Sequence, residues 1–291
     1  MEEPLGYILY ARYRLRLPME KIQESLLDLY NFKISQGEIS EKLQYAQDLF
    51  GKEYEAITVL IQEAKVVYAD ETGWRMNGQN WWLWVFTTAQ GTQYVIEDTR
   101  GKGIPEKILG EKTDRVIISD GYAAYQNLPG DKQQCWVHLL RKAKLHSLTL
   151  YEDLAMLYKK LLLELEKPLG QRDKKTFLQQ FTELIEKEYT EQSVEKVKYR
   201  MKHHASALFT CLEYEGILPE NNTAERAIRP QVVMRKIFGG SRSLEGAQAH
   251  AVNTSVLETM KKQNPHAGFF EIILPLLKKR IGFKNDPQQS L

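Results

Sequence analysis

The sequence predicts an α/β protein, a mixed sheet flanked by helices, with a helical segment before the sheet and a long helical insertion within it. Three observations carry this expectation. Short apolar runs rich in valine, isoleucine and tryptophan recur between residues 65 and 136 at strand length. Helical periodicity dominates on either side of them. The order of the runs, a hairpin followed by strand–helix–strand, demands both antiparallel and parallel neighbours.

Residues 1 to about 62 read as helical. Pro18 is placed to open a helix, because its fixed φ suits a first turn and its missing N–H has no partner to lose there. Ile22, Leu26, Leu27 and Tyr30 then follow at helical spacing. A turn at 31–35 leads into a second helix from about Gly37. The pair fits a helix-turn-helix module or a plain helical hairpin, and it is not strongly basic. Residues 65–70 read as a strand ending in an acid. Residues 81–88 and 92–97 form a hairpin about Ala89-Gln90-Gly91. A short helix at 104–109 tolerates Pro105 in its first turn. Residues 115–120 make a fourth strand, again ending in an acid, and 121–127 a turn or short helix. Residues 133–136 read as a fifth strand, leading into a basic helix at 138–146. Residues 150–212 are helical and charge-laced, with apolar stripes at 161–165 and 177–185. Residues 243–280 give two helices, split at Asn264-Pro265. The expected organisation is a helical segment at 1–62, a first part of the sheet-bearing core at 63–147, a helical insertion at 148–215, the rest of the core with C-terminal helices at 216–284, and a loose tail at 285–291.

The chain's 291 residues, with 43% hydrophobic and 27% charged content, suffice for a real core. A net charge of +2 does not by itself announce nucleic acid. Local charge says more. Arg226, Arg229, Arg235, Lys236 and Arg242 follow one another with no acid among them, and Lys278, Lys279, Arg280 and Lys284 form a second group. The first group reads as phosphate-contacting; the second fits phosphate contact or a solvated face equally. Cys135 and Cys211 are the chain's two cysteines, with no disulfide framework and no Cys-x-x-Cys pattern, which fits a reducing compartment. The first residues carry no basic-then-apolar signal pattern, and no run approaches the roughly 18 apolar residues of a membrane span.

The stretch Asn221-Asn222-Thr223-Ala224-Glu225-Arg226-Ala227-Ile228-Arg229-Pro230 stands apart. On a helix, Asn221, Asn222, Glu225 and Arg229 share one face. One acid among amides and guanidinium groups is poor packing material, but it suits a metal ion facing a phosphodiester. Asp70 and Asp120 each end a strand-like run, where α/β sheets place their sites. Sparse acids on rigid elements are what Mg²⁺-assisted phosphoryl transfer needs. Glu71, Asp98 and Asp114 are nearby competitors that spacing does not exclude. Arg229 is the same-face candidate partner of Glu225, and Pro230 is expected to end or kink the helix. Trp74, beside Arg75 in what reads as a polar loop, is a candidate for stacking on a splayed base, whereas Trp82 and Trp84 read as core. Cys135 and His138 lack two further ligands for a zinc site. Arg141 on the following helix could meet DNA backbone. Gly239-Gly240-Ser241 reads as a flexible turn bearing Arg242.

Five pieces come in a fixed order: Asp70-Glu71-Thr72-Gly73-Trp74-Arg75; Trp82-Leu83-Trp84-Val85; Asp120-Gly121-Tyr122-Ala123-Ala124-Tyr125; Cys135-Trp136-Val137-His138; and Asn221 to Pro230. This set resembles the transposases of the insertion sequence 66 family, in the Asp-Asp-Glu group, from about residue 5 to 280. The resemblance implies a ribonuclease H-like core, two Mg²⁺ or Mn²⁺ ions, and a metal-binding catalytic triad of Asp70, Asp120 and Glu225. It implies that Cys135 and His138 support the active site. DNA-binding or supporting roles are expected for Trp74, Arg75, Arg141, Asn222, Arg226, Arg229, Arg235, Lys236 and Arg242. The implied partners are insertion-sequence ends and target DNA, met as a homo-oligomer near the nucleoid in a bacterial or archaeal cytoplasm. Full-length members carry an N-terminal coiled segment and a cysteine-rich zinc finger, so the chain is expected to correspond to their C-terminal catalytic part. A catalytically silent or truncated DNA-binding regulator, and a ribonuclease H-like nuclease without strand transfer, are the competing readings.

Overall fold

A computed structural model describes residues 2–284; the expected tail at 285–291 lies outside them. The strands form one mixed five-stranded sheet of order β3-β2-β1-β4-β5, flanked by helices, an α/β fold. Packing groups the chain into two compact units: Met1–Ala64, Ala69–Gly110 and Thr223–Leu291 in the first, Lys65–Tyr68 and Glu111–Asn222 in the second. Residues 111–147 thus pack with the helical insertion, across the boundary expected at 147.

The first unit begins with α1 (Glu2–Leu9), a π-helical turn (Tyr10–Arg14), α2 (Met19–Tyr30), α3 (Gln36–Leu49) and α4 (Gly51–Glu63). Pro18 caps α2, and Ser35 opens α3 with a capping box closed by Glu38. Most of β1 (Val66–Met76) follows, then β2 (Gln79–Thr87), β3 (Thr92–Glu97) and α5 (Gly103–Leu109). β1 does not end at Asp70; it continues six residues further to Met76. The cause is the Asn77-Gly78 turn, both residues at positive φ, which joins β1 to β2. That dipeptide is a strong hairpin signal, and it turns the expected polar loop at 71–75 into strand.

The chain returns to this unit with α10 (Asn222–Phe238), α11 (Leu244–Gln263) and α12 (Phe269–Lys284). α11 is buried on nearly every side because its inward positions are small: Ala247, Ala249, Ala251, Ser255 and Thr259. It guards the sheet edge. Tyr94 N–H donates to Ser255 Oγ at 2.8 Å and Thr92 N–H to Thr259 Oγ1 at 2.9 Å, so two outward amides of edge strand β3 are satisfied by hydroxyls one helical turn apart. On another side, Asn253 Nδ2 donates to Leu43 O of α3 at 2.8 Å.

In the second unit the start of β1 pairs in parallel with β4 (Val116–Ser119), and β4 with β5 (Asp131–Gln134). Helices α6 (Trp136–His146), α7 (Leu148–Leu165), α8 (Lys174–Glu186) and α9 (Val194–Leu208) follow. Trp136 centres this core, stacked on Tyr158 at 5.6 Å and edge-on to Phe209 at 5.4 Å and Phe181 at 6.0 Å. Its indole N–H donates to Leu208 O at 2.7 Å. Val116 and Ile118 of β4 share the same core with Leu154, Leu157 and Leu161 of the insertion.

Candidate functional site

In the first unit, Asp70 sits within β1, half-buried. Its Oδ1 accepts from the Glu71 N–H at 2.9 Å. The pleat sends Asp70 and Glu71 to opposite faces. Glu71 lies on the buried face, where Arg100 grips its Oε1 through Nε at 3.1 Å and Nη2 at 2.5 Å. Arg100 also lies over the Trp82 ring at 4.7 Å. Glu71 is therefore a structural ion-pair acid. The other competitors are exposed, and Asp114 is paired with Lys112 at 3.3 Å, which holds its carboxyl below the usual range.

Glu225 lies in the first turn of α10 and is half-buried. Arg226, Arg229 and Lys236 on the same helix are exposed. Arg229 makes no ion pair among the described residues, so its expected pairing with Glu225 is not formed. Arg235 is turned inward instead of toward solvent: its Nη1 donates to Thr72 Oγ1 at 3.3 Å and to the Gly73 carbonyl. It ties the helix of Glu225 to the strand of Asp70, the supporting one of the two roles expected of it. Pro230 does not end the helix, which runs on to Phe238. Ile228, Gln231 and Met234 are buried around it, and that packing outweighs the ~3 kcal/mol an interior proline costs.

Trp74 is 2% exposed. Its ring packs on His250 at 4.9 Å and its indole N–H donates to Ser241 Oγ at 3.1 Å. It is a core residue, so stacking on a splayed base is ruled out. Gly239-Gly240-Ser241 is pinned, not flexible. Ser241 N–H donates to Arg75 O at 2.8 Å and Asn77 N–H to Ser241 O at 2.9 Å. Gly240, at φ 101°, is required because a Cβ there would collide with the Arg75 backbone. Arg75 and Arg242 are exposed.

In the second unit, Asp120 follows β4 directly, half-buried, and its Oδ1 accepts from the Tyr122 N–H at 2.8 Å. Gly121, at φ 83°, leaves room for the Gln134 side chain. Cys135 is fully buried: its N–H donates to Ser119 O at 2.9 Å and its Sγ accepts from the Asn221 N–H at 3.3 Å. Cys135 thus holds the residue just before α10. His138 is half-buried one turn into α6, and Arg141 is exposed beyond it. Asn222 contacts the Glu220 carboxylate. Lys142 and His204 are both held below their ordinary pKa by burial first, then by neighbouring cations; Asp120 pulls Lys142 back up.

Sequence reasoning missed Arg100 and the inward role of Arg235, because nothing local marks which strand a distant guanidinium will reach. It missed the true length of β1, although Asn77-Gly78 was there to be read.

Residues 2–249 match the family model described as "Transposase IS66 family". A curated protein of Sinorhizobium fredii (strain NBRC 101917 / NGR234), "Uncharacterized protein y4qI", is 26% identical over 314 aligned residues, covering 89% of this chain. The chain spans 56% of that relative's length. With most of its residues matched to one family model, the chain belongs to the IS66 transposase family.

Proposed function

We propose that the chain acts as a DNA transposase, cutting and joining DNA at insertion-sequence ends through Asp70, Asp120 and Glu225. The strand register carries this reading. Tyr68 pairs with Ile118 across parallel strands, and each is followed two residues later by its aspartate. Two acids at equivalent positions along neighbouring parallel strands, Asp70 within β1 and Asp120 at the carboxyl end of β4, are well suited to sharing metal ions. Glu225 belongs to a helix that Arg235 ties to β1. All three donors are half-buried carboxylate oxygens, on β1 for Asp70, just past β4 for Asp120 and on α10 for Glu225, a set that fits two Mg²⁺ or Mn²⁺ ions. Such ions, when bound, would supply Lewis acidity to the attacking and leaving oxygens of a phosphodiester.

The remaining residues divide the work. Cys135 and Asn221 fix the approach to α10. His138 supports the same region from α6. Exposed Arg75, Arg141, Arg226, Arg229, Lys236 and Arg242 contact backbone phosphates. DNA would be engaged by a homo-oligomer, in the cytoplasm. The ribonuclease H-like description of the sheet belongs to this same reading.

Mg²⁺-dependent cleavage of element-end DNA tests it. Asp70→Asn, Asp120→Asn and Glu225→Gln are each expected to lower cleavage by roughly 1000-fold while the chain stays folded. Wild-type activity in any of the three removes that residue from the site. A strand-transfer assay with a pre-cut end separates a transposase from a nuclease. DNA binding in chelator without cleavage in Mg²⁺ would mark a silent regulator.

A further inference from the structure

A cleft of about 440 Å³ opens in the first unit between the start of α3, the residues before α2, and the loop joining α10 to α11. Its size is that of a small-ligand site, and its lining is suited to an anion. Arg12 forms one wall, its guanidinium carbon over the Phe238 ring, 3.4 Å from the centroid. One Nη1 donates to Leu17 O at 3.3 Å, and no carboxylate among the described residues pairs with it. Burial lowers its pKa to about 10, so it stays cationic at neutral pH. A shielded cation without a counter-charge is costly, and an arriving anion relieves that cost.

The rest of the lining agrees. Arg242 is exposed and makes no ion pair among the described residues. Gln36, Ser40 and Gln44, at four-residue spacing, line the cleft from one face of α3. The Ser35 capping box engages the Glu38 N–H, leaving those of Gln36 and Gly37 without a described acceptor. A Cβ added at Gly37 would meet nothing nearer than Ser35 Oγ at 3.8 Å. The lining's one carboxylate, Glu20, is exposed to water.

We propose that this cleft binds a nucleotide phosphate, either one phosphodiester of a DNA strand or the phosphate of a free nucleotide. The first source rests on the DNA reading above; the second rests on the cleft alone. Anisotropy of labelled single-stranded and duplex oligonucleotides with the full chain in EDTA, competed by a 5′-mononucleotide, tests it without any cleavage step. Arg242→Gln and Gly37→Leu are each expected to weaken oligonucleotide binding about tenfold with unchanged thermal midpoints. Arg242→Gln should also lower the log–log salt slope by about one. Lys33→Ala, an exposed cation outside the cleft, should change affinity less than about threefold. Displacement by the mononucleotide in wild type but not in the variants assigns the free nucleotide; displacement in neither, with weakened variants, assigns the strand. Wild-type oligonucleotide affinity in both cleft variants overturns the proposal. Because binding is read in chelator, loss of cleavage in Asp70→Asn leaves it standing, and intact cleavage with unaffected cleft variants removes it alone.

Discussion

Asp70 and Glu71 are adjacent carboxylates with different fates, and the pleat of one strand separates them. Glu71 turns inward to Arg100, with its side chain only 1% exposed. Breaking that pair by Glu71→Ala should cost about 3 kcal/mol in urea unfolding, because Arg100 loses its counter-charge. Asp70→Asn should leave the unfolding midpoint nearly unchanged while abolishing cleavage. Equal destabilisation by both substitutions would refute the division of roles. His250 makes a second residue-scale case. It is buried beside Trp74 and Tyr13, with Nε2 2.8 Å from Gln231 Oε1. Burial, then Arg12, depresses its pKa to about 3. The unfolded chain takes up this proton near pH 6.5 while the folded chain resists it. Stability tied to His250 is therefore intact above about pH 6.5 and declines as the pH falls toward 3. Between pH 7 and 5 the loss should be roughly 2 kcal/mol, and His250→Gln should flatten that slope in urea titrations.

Elements show how local signals combine with packing. β3 is an edge strand, yet α11 lays Ser255 and Thr259 along its free amides. Replacing both hydroxyls, by Ser255→Ala and Thr259→Val, should cost about 1–3 kcal/mol per orphaned amide. Faster hydrogen exchange at Tyr94 and Thr92 would report the loss, and unchanged exchange would show that the hydroxyls do not guard the edge. The hairpin of β2 and β3, the short helix around Pro105, and the break at Asn264-Pro265 were all readable from turn chemistry and periodicity. The continuation of α10 through Pro230 was not. Proline's local penalty is visible in the sequence, but the burial of Ile228, Gln231 and Met234 that offsets it exists only in the fold.

At the scale of the whole molecule, the helical insertion does more than separate Asp120 from Glu225. Its leucines and phenylalanines share a core with Val116 and Ile118 of β4, the strand that leads to Asp120. Trp136→Ala should cost about 3–5 kcal/mol and remove cleavage along with stability, measured by thermal melting and activity together. Normal cleavage in a destabilised Trp136→Ala protein would mean that Asp120 does not depend on that core.

The sequence by itself determined the order of elements, the mixed sheet, the three acids in their spacing and the motif set of the family. Those features are written in periodicity, turn residues and short-range patterns, which depend on near neighbours. Tertiary structure decided that Glu71 pairs with Arg100, that Trp74 is core, and that Arg235 faces β1 while Arg229 faces water. Each of these depends on what lies opposite a side chain across the fold, and no window of neighbouring residues contains that partner.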